Sequence, residues 1–245
     1  MTLSSHAIGN GSPATFLHGF TQTSHSWSHL VEKLPFTSTL IDLPGHGDSP
    51  DGRRSLTQTA EEIADAMPAG CLIGYSMGAR MALHTALQYP HKVSALVLVS
   101  GTAGIRDNDE RTARRLSDIE LATHIQELGV PAFIDEWLSQ PLFAGLNSVT
   151  NQRADRLRNH AVGLADSLRF AGTGTQEPLW DQLHMLTMPV LLMCGTKDTK
   201  FHTIATEMGA SIPSSTCVAI EGVGHTVHLE QPERFVIGDV KSPKS

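Results

Sequence analysis

Three residues far apart along the chain have side chains suited to nucleophilic or proton-transfer chemistry. Ser76 sits in Gly74-Tyr75-Ser76-Met77-Gly78, after the apolar run Cys71-Leu72-Ile73 and before a helical pattern that stops at Pro90. A serine on so sharp a strand-to-helix turn needs small neighbours, because its backbone is strained. The turn lifts the hydroxyl to the helix N-terminus, where free N–H groups favour negative charge. Asp198 follows the apolar run Leu191–Cys194 and a glycine turn, and His225 follows Gly222-Val223-Gly224. In such a trio the aspartate orients the imidazole and stabilises its cation, while the imidazole takes the serine proton. His228 is the near rival of His225, but it falls into the start of a helix and reads as a packing residue.

Short apolar runs must carry these residues. Ala14–Leu17, Thr39–Asp42, Cys71–Gly74, Ala95–Val99, Val190–Cys194 and Thr216–Ile220 read as strands. Their lack of alternation suits strands buried on both faces, as in a parallel sheet. Helical patterns at Leu56–Met67 and Met77–Tyr89 lie between them, and the alternation predicts an α/β fold with a doubly wound, mostly parallel sheet. The pattern breaks from about Asp107 to Trp180, where amphipathic helices hold most of the arginines and no lysine. The expected organisation is therefore a core over 1–103, a helical cap inserted over 104–183, and the rest of the core over 184–245.

A chain of 245 residues with 40% hydrophobic and 18% charged residues suits one large globular unit. The net charge of -7 argues against a nucleic-acid backbone as partner. No apolar run is long enough for a membrane span, and the N-terminus does not read as a signal peptide, so the expected location is cytoplasmic. Cys71, Cys194 and Cys217 lie in runs that read as buried strands. Their odd number and spacing suggest neither disulfides nor zinc. No metal-ligand cluster or dinucleotide fingerprint implies a metal or a cofactor.

The runs HGFTQTSHSW, DLPGHGDS, GYSMGARMAL, CGTKDTKF and GVGHTVHLEQP resemble α/β-hydrolase-fold proteins. In the insertion, SGTAGIRDNDERTARRLSD, FIDEWLSQPLFAGL and RLRNHAVGLADSL are similar to the cap of the 2-succinyl-6-hydroxy-2,4-cyclohexadiene-1-carboxylate synthase family of menaquinone biosynthesis. The similarity runs to about Phe235. It implies a carbon-oxygen lyase that eliminates pyruvate from 2-succinyl-5-enolpyruvyl-6-hydroxy-3-cyclohexene-1-carboxylate, with Ser76, activated by His225 and Asp198, as the base. It also implies an oxyanion hole from the backbone N–H groups of Phe20 and Met77, and a small polycarboxylate substrate. A monomer is compatible with this reading.

Guanidinium groups hold carboxylates in two-point geometry. Arg80 lies four residues after Ser76, on the same helix face. Arg114 and Arg158 match the family's cap arginines, with Arg115 and Arg156 as neighbouring registers. Trp137 matches its cap tryptophan, and Tyr75 adjoins the serine. These five are the expected substrate contacts. His18 and His46 read as structural. Two departures stand out: Ala79, where a second glycine is expected, predicts crowding of the helix, and FVIGDVKSPKS lacks a full closing helix. A carboxylesterase or C–C bond hydrolase would share the trio, and a mostly apolar cap would favour it. A non-catalytic binder on this fold would be expected to have lost one of the three.

Overall fold

A computed structural model describes residues 3–49 and 53–235. Seven strands form one sheet: β1 (Ser5–Ile8), β2 (Ser12–Leu17), β3 (Phe36–Ile41), β4 (Gly70–Tyr75), β5 (Val93–Val99), β6 (Val190–Gly195) and β7 (Ser215–Ile220). Their order is β1-β3-β2-β4-β5-β6-β7. All neighbours are parallel except β1, which runs antiparallel to β3. The sheet and its flanking helices confirm the α/β reading. β1 was not predicted, because its four residues are only half buried and make no apolar run.

Adjacent residues in the central strands face opposite sides. Leu17, Leu72, Leu96, Leu98 and Leu192 join one apolar cluster, together with side chains from α2 (Leu56–Ala66), α3 (Met77–Gln88) and α8 (Thr199–Ser211). Phe16, Ile73, Val97, Val99, Leu191 and Met193 join the other, with Trp27, α1 (Ser28–Val31) and α9 (Val227–Glu230). Helices on both faces explain why these strands show no polar alternation. Cys217 departs from expectation: β7 is an outer strand, and its cysteine is exposed.

Between β5 and β6 come α4 (Asn108–Leu128), α5 (Val130–Leu138), α6 (Arg153–Arg156) and α7 (Ala161–Ala171), joined by short 3-10 turns and no strand. Ala122, Ile125, Phe133, Ile134, Leu164, Ala165 and Leu168 form a third apolar cluster there, and Phe20 packs against both it and the first sheet cluster.

Ala79 does not crowd its helix. Its methyl points at Gly101, where an added Cβ would come within 2.7 Å, so the missing side chain at 101 makes the room. The expectation for the C-terminal stretch falls after Phe235, outside the described residues.

Candidate active site

The sheet order reverses at β2 and β4, with β3 on one side and β5 on the other. Ligand crevices in open α/β sheets form at the carboxyl ends of strands at such a switch point. β2 leads into Phe20 and β4 into Ser76. Ser76 has φ 52° and ψ −106°, a strained conformation for a residue with a side chain. The glycines on either side of it make the turn possible. A Cβ at Gly74 would meet the Gly78 carbonyl at 2.3 Å, and one at Gly78 would meet the Leu17 carbonyl at 2.4 Å. The Ser76 N–H is anchored on the Val99 carbonyl at 2.8 Å.

The three expected residues converge. Ser76 Oγ lies 3.1 Å from His225 Nε2, and His225 Nδ1 lies 2.6 Å from Asp198 Oδ2. With Nδ1–H donating to the carboxylate, Nε2 is free to accept the serine proton. Asp198 also caps α8, accepting the Phe201 N–H at 3.4 Å. The His225 ring packs against Phe201 at a centroid distance of 4.6 Å, and its carbonyl accepts Ser100 Oγ–H at 2.8 Å. Glu230, which the sequence reading missed, ties down the histidine loop. Its carboxylate accepts the N–H groups of Gly224 at 2.8 Å and Thr226 at 3.1 Å, plus the Thr226 hydroxyl at 2.8 Å. Its place five residues after His225, within GVGHTVHLEQP, was the available signal.

Met77 opens α3, so its N–H has no carbonyl one turn earlier to reach. Tyr75 is buried, with its ring 5.4 Å from that of His225 and 4.4 Å from that of His228. Burial holds its phenol in the neutral form, pushing the pKa well above the ordinary value. His228 lies 4.4 Å from Trp27 on its other side and is kept neutral by burial, in keeping with a packing role. His18 accepts the Leu43 N–H at 3.0 Å and contacts the Gly19 carbonyl at 2.8 Å, a structural role.

Arg80 is buried and donates to Gln176 Oε1 at 3.3 Å and the Ala171 carbonyl at 2.9 Å. Among the described residues its guanidinium has no carboxylate partner. Burial, with the cation of Arg114 nearby, lowers its pKa to about 10, so it stays charged at neutral pH. Gln176 is fully buried with no partner for Nε2, and the sequence reading did not single it out. Arg114 is half exposed and pairs with Asp118 at 2.8 Å along α4. Arg115 instead lines a surface recess of about 410 Å³ with Arg111 and Arg169, away from the trio.

Arg158 is partly exposed, and its guanidinium donates to Asp48 at 2.9 Å and to His25 at 2.6 Å. Arg156 lies inside instead, almost fully buried, against Phe20 and Thr21. The residues are two apart on one turn of chain, so they face different ways, and spacing alone did not say which is inward. Trp137 stands edge-on to Phe20 at 5.3 Å and packs against Phe133 and Phe143. Its buried Nε1–H has no partner among the described residues. Among the described residues, no group of three or more His, Cys, Asp or Glu could hold a metal ion.

The α/β hydrolase family model matches residues 16–237. A Bacillus subtilis (strain 168) protein, provisionally assigned as a 2-succinyl-6-hydroxy-2,4-cyclohexadiene-1-carboxylate synthase, is 42% identical over 89% of this chain and 85% of its own. The chain belongs to that synthase family. The Citrobacter koseri synthase is 34% identical, with 96% of each chain covered. The solved structure of MenH from S. aureus superposes with a TM-score of 0.88 at 30% identity, covering 96% of this chain and 94% of that one.

Proposed function

We infer that this chain is a 2-succinyl-6-hydroxy-2,4-cyclohexadiene-1-carboxylate synthase, a lyase of menaquinone biosynthesis on a hydrolase fold. The observation that carries the reading beyond family membership is Arg80, a buried cation near the trio that lacks a carboxylate partner. A buried cation without a directly paired carboxylate is costly, and an anionic substrate would offset that cost.

In this reading Ser76 Oγ removes a ring proton as its own proton passes to His225 Nε2. Electrons from the broken C–H bond form a new ring double bond, the existing ring C=C shifts by one position, and the C–O bond to the enolpyruvyl group breaks. The departing enolate takes the proton from His225 and leaves as pyruvate. Asp198 holds the imidazole in the accepting tautomer and stabilises its cation. The N–H groups of Phe20 and Met77 stabilise the oxyanion that develops as the proton departs. Arg80, Arg114 and Arg158 take substrate carboxylates, and Trp137 with Tyr75 walls the pocket. The chain works as a core of 1–103 and 184–245 with a cap of 104–183, and the separate apolar cluster of the cap supports this division. No helix among the described residues is long and apolar enough to cross a membrane. We place the enzyme in the cytoplasm, acting on a small molecule.

The test is pyruvate release from the enolpyruvyl substrate, made fresh by the preceding enzyme, for the wild type beside Ser76→Ala. Rapid release that the variant loses supports the lyase. Release no faster than the spontaneous rate, with Ser76-dependent cleavage of simple esters, would leave a hydrolase.

A further inference from the structure

Residues 152–159 of the insertion hold the loop that follows β2. Gln152 Nε2 donates to the Ser26 carbonyl at 3.0 Å, and Thr23 Oγ1 donates to Asp155 Oδ1 at 2.6 Å. Arg156 Nη1 donates to the Phe20 carbonyl at 3.4 Å and to Thr21 Oγ1. Asn159 Nδ2 donates to the Thr21 carbonyl at 2.6 Å. These bonds meet on a strained backbone. Thr21 has φ 67°, a conformation that a β-branched residue keeps only when its surroundings impose it.

Arg156 is the centre of this clasp. It is 1% exposed, forms no ion pair among the described residues, and leaves Nη2 buried without a partner. Its other nitrogen bond, from Nε to the Asn151 carbonyl at 2.9 Å, fixes it within its own segment. The Phe143 ring lies 5.7 Å from its guanidinium carbon. A cation buried in this way, with Asp155 nearby but no ion pair, costs stability. Its bonds outside its own segment go to the Phe20 carbonyl and the Thr21 hydroxyl, and so fix the chain immediately after the Phe20 N–H.

We propose that Arg156 is a positioning residue for the oxyanion hole, fixing the Phe20–Thr21 backbone so that cap and hole form one mechanical unit. The proposal rests on the reading that the Phe20 N–H serves the oxyanion. Oxyanion donors act by being held in place before charge develops, so a loop released by a few tenths of an ångström loses rate rather than substrate affinity.

The experiment is steady-state pyruvate release by the full chain for Arg156→Gln, Thr21→Gly and Arg153→Gln. Arg153 sits on the same short helix but makes only an exposed pair with Asp135, so its variant should behave as wild type. Removing a whole oxyanion donor costs about 10²–10³ in kcat, and misplacing one should cost about tenfold or more, with KM within about twofold. Arg156→Gln and Thr21→Gly should both show this split. Thr21→Gly loses the hydroxyl anchor, yet glycine accepts the positive φ, so this variant decides the matter if Arg156→Gln does not fold. Unchanged kcat in folded Thr21→Gly and Arg156→Gln, or equal losses in kcat and affinity, would overturn the proposal. An amide-to-ester replacement that deletes only the residue 20 N–H separates the two ideas. If it leaves kcat intact, the oxyanion reading itself fails. If it lowers kcat while Arg156→Gln does not, only the positioning role fails.

Discussion

The guanidinium of Arg80 meets the side-chain oxygen of Gln176 at 3.3 Å, a neutral partner where a buried cation would ordinarily have a carboxylate. Gln176, from the segment between β5 and β6, thereby holds a charge that arises on the first turn of the helix behind Ser76. Asp118, already paired with Arg114, acts on the Arg80 charge only from a distance, so an arriving anion would be its first direct ion-pair partner among the described residues.

Arg80→Gln is therefore expected to lower kcat/KM for pyruvate release by roughly 10- to 100-fold, the worth of one charge-assisted contact. Arg80→Lys should recover little, because a point charge does not reproduce the planar fork. Steady-state kinetics, with a thermal melt to confirm folding, checks this. An unchanged kcat/KM would remove Arg80 from substrate binding.

The 2.6 Å contact between His225 and Asp198 sets the tautomer. Asp198→Asn should keep the fold and the Phe201 cap while reducing kcat by about 10³–10⁴-fold, because the imidazole can then present the wrong nitrogen to Ser76. A loss below about tenfold would mean that the proton does not travel through His225.

Ala79 and Gly101 share one space. Gly101→Ala should destabilise the chain by about 1–3 kcal/mol through overpacking. Adding Ala79→Gly should return part of that loss, less about 1 kcal/mol for a glycine inside a helix. Urea unfolding of the single and double variants reads the sign. A double variant no more stable than Gly101→Ala would show that the two side chains do not compete.

Acid should unfold the protein before its carboxylates titrate. Burial lowers the pKa of His46 to about 3 and that of His84 to about 4, the latter aided by the Arg80 cation, and it also lowers those of His18 and His228. A histidine with a depressed folded-state pKa binds fewer protons than the unfolded chain does. Its contribution is full above the ordinary value near 6.5 and is lost as pH falls towards the folded value. The slope is about 1.4 kcal/mol per pH unit for each such histidine. Urea midpoints at pH 7, 6 and 5 should fall steadily, and a flat series would mean that these rings take up protons without unfolding.

The sequence by itself determined the α/β sheet, the helical insertion and the trio. Central strands buried on both faces leave unbroken apolar runs, and a serine between small residues at a strand-to-helix junction marks its own turn. The family resemblance added the reaction, which neither composition nor spacing contains. β1 was not legible, because a four-residue edge strand whose residues are exposed or only partly covered leaves too little pattern to read.

Tertiary structure alone decided which cap arginine turns inward. Arg156 and Arg158 have the same chemistry and near-equal positions, and the difference lies in what each meets across the fold: Phe20 and Thr21 for one, Asp48 and His25 for the other. It likewise decided that Gln176 faces Arg80, that Glu230 fastens the histidine loop, and that Gly101 makes room for Ala79. Each of these is a contact between distant segments. Local sequence sets how a segment folds, but the partner that a side chain meets depends on how whole elements stack, and only the assembled chain contains that information.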